Sequence, residues 1–386
     1  MFNTEGIFNA TLLKIKTYIM GHNRNSFLLN FVTLIIHFLV LIWSVPVFSR
    51  DSTVTSSKTG MDRIQGNIKF LPIPYVNYNR SFGYQIGAAP MLLFNPVSKD
   101  TLSPSSLAGV IGIYSENKTW FIMGYSKLYL DEDNWRMIVV GGSGSYNFQF
   151  LLDSPINSWI PYNTKLGFIF GQVQRRIINE LYAGLSLIHM DLKTKTDSIE
   201  IESNTKLNGL GLRMSMDQRS STRYPKSGFE TNVKYFIYPK FLDNKTTSSK
   251  IEIDFDHFLP MREKKDVIAS RLYIGLGLGD LNFNQQLIVG RKDIRGYTQG
   301  AYRGDYLLAA QSEYRWNFLK RWGMVYFLGL ATVFKSINEN DNGKLLPGIG
   351  TGFRFTVDRE TKMNVGIDVA AGIDDWGFYF RIGEAF

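Results

Sequence analysis

The chain has 386 residues, enough for one large domain or two ordinary ones, and carries 43 Lys and Arg against 34 Asp and Glu, a net charge of +9. With 44% hydrophobic and 14% aromatic residues it is too apolar for a disordered chain. It has no cysteine and only four histidines, which excludes a disulfide-stapled module, a thiolate zinc site, a cysteine nucleophile and a His-rich metal site, so no metal or cofactor is expected.

The first feature along the chain is the apolar run FLLNFVTLIIHFLVLIWSVPV over residues 27–47, with Lys14, Lys16 and Arg24 behind it. Val47 and Ser49 then supply the aliphatic and small residues of an export cleavage site. Residues 1–49 therefore read as a signal peptide, with Met20 as an alternative start. A retained membrane helix is the competing reading, since the run is long enough to span a bilayer. Residues 50–66, rich in Ser and Thr, form a short linker.

From residue 67 onward the pattern has a period of two, and helix-period windows are hard to find. Sixteen runs are expected: 67–79, 82–94, 106–116, 118–131, 134–149, 165–178, 180–192, 205–217, 228–239, 248–259, 266–279, 304–318, 322–335, 345–358, 361–372 and 375–386. In the twelfth, Leu308, Ala310, Tyr314 and Trp316 share one face, and Gln311, Glu313, Arg315 and Asn317 the other. A soluble sandwich puts such an apolar face inside, whereas a membrane barrel turns it toward lipid.

Three features favour an all-β transmembrane antiparallel barrel of about 16 strands, spanning 67–386. Many runs exceed the ~9–11 residues that a tilted strand needs to cross a bilayer. Their polar faces mix charges with glycine, as a wet or plugged lumen does. Aromatics gather at run ends, in YNFQF, YFIYP and WGFYF, where an interfacial girdle belongs. An even strand count puts both ends on the periplasmic side. The long connections 150–164, 193–204, 240–247, 280–303 and 336–344 then face outward. Pro72 and Pro74 leave the first run either a weakly closed seam or not a strand, which would leave fifteen.

At VGRKDIRGYTQG the residues Ile294, Arg295, Gly296 and Tyr297 resemble the Val-Arg-Gly-Phe/Tyr signature of the BamA/TamA superfamily, the bacterial surface-antigen barrels. Two further segments resemble that family. One is MDQRSSTRYPKSGFE, with Asp217, Arg219, Tyr224, Pro225 and Gly228, like the turn ahead of the family's ninth strand. The other is the closing stretch from residue 350 to Phe386. The resemblance implies an outer-membrane barrel with a long loop folded into the lumen, working in protein insertion or translocation, with a seam between first and last strands. It departs in two places. About 17 residues between Arg50 and the first strand leave no room for a POTRA domain, so a partner-dependent or accessory role is expected. Phe327 stands where many relatives carry an acid on the thirteenth strand.

The resemblance implies that Arg295 is buried and ion-paired, because an unpaired buried guanidinium is expensive. Glu313 and Asp368 are the best candidate partners, and the row Glu252, Asp254, Asp256 is a third possibility. That row, facing Arg291, Lys292, Arg295 and Arg303, reads either as plug docking or as a cation-selective lining. Phe378, Phe380, Ile382 and Phe386 on one face of the last strand read as a C-terminal assembly signal for the barrel-assembly machinery, over and above a lipid-facing surface. His189 and His257 lie in no nucleophile motif, so an enzyme is not expected. The net charge suits anionic outer-membrane lipid or lipopolysaccharide better than nucleic acid, for which no basic-aromatic motif appears. A periplasmic or outer-membrane protein partner completes the expectation. The rival reading is a passive channel or structural barrel without insertase activity.

Overall fold

The computed structural model describes residues 68–386 apart from 80, 154–156, 197–200, 222–223, 264, 291–292 and 359–362. The expected signal peptide and linker lie outside the described residues. Sixteen strands follow one another in antiparallel order, β1 and β2 each being broken once. They are β1 (Ile68–Leu71 and Pro74–Asn79), β2 (Gly83–Ala88 and Met91–Phe94), β3 (Ser106–Ser115), β4 (Trp120–Leu130), β5 (Trp135–Leu152), β6 (Ser158–Ile178), β7 (Leu181–Thr196) and β8 (Ile201–Asp217). Then come β9 (Gly228–Tyr238), β10 (Ser248–Met261), β11 (Asp266–Gly279), β12 (Tyr306–Asn317), β13 (Trp322–Phe334), β14 (Leu346–Asp358), β15 (Met363–Gly372) and β16 (Asp375–Ile382). Each pairs with the next, giving one continuous ladder from β1 to β16.

The first run is a strand despite its prolines. Both of its halves pair with the halves of β2, and the break at Pro72 and Ile73 faces the break at Ala89 and Pro90. Single backbone bonds, Ala89 N–H to the Ile73 carbonyl and Val110 N–H to the Pro90 carbonyl, carry the pairing across both gaps. The described residues therefore hold sixteen strands, not fifteen. The seam between β1 and β16 is different. The two strands lie side by side, with the Tyr78 and Phe378 rings 6.5 Å apart, but no ladder joins them among the described residues.

Burial is inverted relative to a soluble sandwich. Leu185, Leu328 and Ile349 on the outer face are 65–66% exposed, while Glu313, Arg315 and Asp368 on the inner face are at most 2% exposed. Water does not reward a wall of exposed leucine and isoleucine, but a lipid-facing barrel requires one. Exposed aromatics mark both edges of this belt, with Tyr84, Tyr114, Trp120 and Trp376 near one end and Trp135 and Trp322 near the other.

Two of the connections expected to be long are mostly strand. β5 to β8 have 18, 21, 16 and 17 residues, and they take in 150–152 and 158–164 of the first expected connection and 193–196 and 201–204 of the second. The Asn, Thr and Lys content of these stretches reads as loop. Their side chains instead bond across the ladder: Asn163 donates to Ser145 and Asn147, and the Thr164 and Thr194 hydroxyls meet at 2.9 Å. The connection 95–105 at the opposite end is ordered by Asp100, whose carboxylate accepts from Ser103 and from the Glu132 amide in the next turn. Burial raises the Asp100 pKa, but those donors outweigh it and hold the carboxyl below the usual range.

Candidate functional site

The connection between β11 and β12, residues 280–305, folds into the lumen. It opens with a short 3-10 turn (Phe283–Gln285) and is clasped at its base by a two-residue pairing of Leu287–Ile288 with Arg303–Gly304. Leu287, Val289, Ile294 and Tyr297 are buried against Tyr273, Leu307, Ala309, Ala331, Val333 and Leu346 of the inner wall. This explains a change of character along β12. Its inward residues are apolar under the loop (Leu307, Ala309) and polar beyond it (Gln311, Glu313, Arg315). Each fully buried aliphatic side chain contributes about 1.5–3 kcal/mol, so the loop has its own core.

Arg295 sits at the boundary between these zones. Its Nη1 donates to Asp368 at 2.7 Å, its Nη2 to Glu313 at 2.7 Å and its Nε to Gln311 at 3.3 Å. The guanidinium lies 3.4 Å over the Phe327 ring. Of the candidate partners read from the sequence, Glu313 on β12 and Asp368 on β15 are therefore the ones in contact. Phe327 is not a gap in the site. Its ring supplies a cation–π surface, worth about 2 kcal/mol when desolvated.

The row Glu252, Asp254, Asp256 does not meet Arg295. Lys250 pairs with Glu252 at 3.2 Å, Lys234 with Asp254 at 3.1 Å, and Arg271 with Asp256 at 2.6 Å. Charge compensation within the wall of β9 to β11 leaves this row neither a docking face for the loop nor a free acidic, cation-selective lining. Arg303 meets Gln286 and the Phe283 ring within the loop and Tyr162 on β6, and Arg291 and Lys292 lie outside the described residues.

A larger network was not anticipated. Glu313 also accepts from Arg315 at 2.7 Å, and Asp368 from Arg354 at 2.5 Å and Arg381 at 2.6 Å. Glu384 accepts from Arg354 at 3.1 Å and from Asn364 at 2.7 Å. Four arginines and three carboxylates thus form one cluster contributed by the loop, β12, β14, β15, β16 and the residues just after β16. The signal for it was present in the inward parity of Arg315, Arg354 and Arg381.

Gly296 has φ +105°, and a Cβ there would stand 2.8 Å from the Ala371 backbone. Gly348 offers the matching recess, since its Cβ would meet the Arg295 carbonyl at 2.5 Å. The tip of the loop then reaches across the lumen mouth. Gly296 N–H donates to the Tyr379 hydroxyl, the Tyr297 hydroxyl to the Pro347 carbonyl, and Thr298 N–H to Asp375 at 2.6 Å. Gln299 N–H donates to Ser81 Oγ at 3.1 Å, and Leu151 N–H to the Gly300 carbonyl. Asp375 begins the last strand and Ser81 lies in the first hairpin, so the loop tip holds both sides of the seam.

The turn motif is a rigid connector. Arg219 forms paired bonds to Asp217 and reaches Glu230 at 2.9 Å. Asn317 donates to the Tyr224 hydroxyl, Pro225 is buried, and Gly228 has φ +91° with no room for a Cβ against the Gln218 carbonyl. The expected aromatic face of the last strand needs correction. Phe380 is exposed and Phe378 lies at the seam, but the strand ends at Ile382. Gly383, at φ +87°, turns the chain inward, so Phe386 packs on Phe258, Val267 and Ala269 inside the lumen. The Ile382 side chain lies outside the described ones. His189 meets Asn208 on the outer face, and His257 stacks on Phe255. No group of three or more metal-ligating side chains occurs among the described residues.

No family model and no curated protein matches the sequence. Among solved structures, the chain is similar to BamA from Haemophilus ducreyi lacking POTRA domains 1–3, with a TM-score of 0.59 at 12% identity over 82% of this chain and 70% of that one. It is similar to CdiB from Escherichia coli, with a TM-score of 0.59 at 12% identity over 84% and 68%. CdiB from Acinetobacter baumannii gives 0.55 at 13% over 83%, and there the chain spans 60% of its neighbour's length. At these identities the likeness is one of fold. The chain has the BamA/TamA-like barrel fold shared by BamA and CdiB.

Proposed function

We propose that this chain is a bacterial outer-membrane barrel, exported by a signal peptide over residues 1–49, that assists the insertion or translocation of other proteins together with a protein partner. The seam carries this reading. Among the described residues β1 and β16 adjoin without a ladder, β1 is broken at Pro72, and the loop tip clasps both sides through Asp375 and Ser81. A strand edge that can be freed is a template for pairing with another chain. A passive channel needs an open path, whereas this lumen holds a packed loop above a seven-membered ion cluster. The barrel-assembly machinery would insert the chain itself, through the aromatic last strand, and anionic outer-membrane lipid would surround it. No catalytic chemistry is assigned.

Depletion followed by quantitative outer-membrane proteomics tests the reading. Several barrel or surface proteins should fall together, and those that fall name the substrates. If only this chain disappears from the membrane, the assembly role fails. Steady, large conductance of the wild-type protein in planar bilayers would favour the channel instead.

A further inference from the structure

The outer wall of β6, β7 and β8 carries a second feature that the plug and the seam do not use. Along each strand the outward residues are first apolar and then basic. On β6, Ile169 gives way to Lys165; on β7, Leu185 and Leu187 give way to Lys193 and Lys195; on β8, Leu212 and Leu210 give way to Lys206. Four residues separate Lys165 from Ile169 and Lys206 from Leu210, and six separate Lys193 from Leu187, roughly 13–20 Å along the strand at ~3.3 Å per residue. That distance carries a side chain out of the hydrocarbon and into the headgroup layer.

The register makes the patch specific. Ser145, Lys165, Lys193 and Asn204 stand directly opposite one another across β5, β6, β7 and β8. Lys165 and Lys193 are both exposed, and neither forms an ion pair among the described residues. Among the described acids on this wall, Asp191 stands opposite Lys206. Lys206 also reaches Asp243 at 3.4 Å. Like charges directly opposite in a ladder are destabilising unless an anion lies between them. A hydroxyl, two ammonium groups and an amide in one row present only donors and adaptable groups to such an anion.

We propose that the Ser145–Lys165–Lys193–Asn204 row binds the phosphate of a phosphorylated lipid headgroup in the leaflet at this end of the barrel. The site lies where the apolar belt ends, so the acyl chains of the same lipid lie against Ile169, Leu187 and Leu210. The inference rests on the membrane embedding proposed above, but not on the assembly role.

The test uses the folded chain in detergent micelles and the temperature at which its compact electrophoretic form is lost. The probes are bisphosphorylated lipid A, dephosphorylated lipid A and inorganic phosphate. Lipid A should raise the midpoint of the wild type and of a K320Q control at the opposite rim. The K165Q/K193Q double variant should lose most of that rise. Without lipid it should be at least as stable as the wild type, because a like-charge pair has been removed. Neither dephosphorylated lipid A nor inorganic phosphate should reproduce the effect. An equal response in the double variant overturns the site, and a full response to inorganic phosphate overturns the lipid as its source. A chain that forms no compact, heat-modifiable species in detergent overturns the membrane embedding itself.

Discussion

At the scale of single residues, the buried cluster gives unequal weight to its members. Removing Arg295 leaves Glu313 with Arg315, and Asp368 with Arg354 and Arg381. Removing the Asp368 charge instead strips one carboxylate from three arginines at once. Breaking a buried pair by deleting one partner costs about 3–5 kcal/mol. Asp368→Asn should therefore destabilise the barrel by about that much, and Arg295→Ala by less, as read from urea unfolding in lipid vesicles. Equal losses would mean that the cluster does not share its charge as the distances indicate. Arg295 and its two best partners could be read from the sequence because the motif named the arginine and parity placed both carboxylates inward. The stacking on Phe327 could not be read, since an aromatic at an inward position has no partner until the loop is placed.

At the scale of elements, the loop and the seam make separable predictions. Gly296 has a positive φ and Gly348 a recess with no space for a side chain, so both positions bind the loop by what they lack. Gly296→Val or Gly348→Val should expel the tip from the wall of β14 and β15. The expected result is ion conductance in planar bilayers through variants whose wild type is closed, with the barrel still heat-modifiable. The seam prediction uses the absence of native cysteine. Tyr78→Cys with Phe378→Cys, joined by a short bismaleimide, should abolish the proposed assembly activity while either single variant keeps it. Full activity of the joined form would remove the seam from the mechanism. Strand existence was legible from period-two patterning, and Asp266–Gly279 coincides with its expected run. Strand length was not. In β5 to β8 polar residues continue the ladder past the apolar belt, and hydropathy cannot distinguish a hydrogen-bonded polar strand from a polar loop.

At the scale of the whole barrel, the decisive property is the inversion of burial. In a soluble protein, replacing an exposed leucine by lysine is nearly neutral. Here Leu328 lies mid-strand on the outer face, 65% exposed. Leu328→Lys should cost about 2–4 kcal/mol in a bilayer, as a charge does at the lipid face of a barrel midplane. Refolding yield into vesicles and urea unfolding would both register the loss, and an unchanged midpoint would contradict the lipid-facing assignment. The sequence by itself determined the period-two strand pattern, the parity of each wall and the position of the loop motif. These are local properties, set by a side-chain period of two and by short turn signals. Tertiary structure alone decided which carboxylates close on Arg295, that the acidic row is neutralised within its own wall, and that Phe386 turns into the lumen. Those outcomes depend on distances between strands far apart in the chain, which no spacing along it encodes.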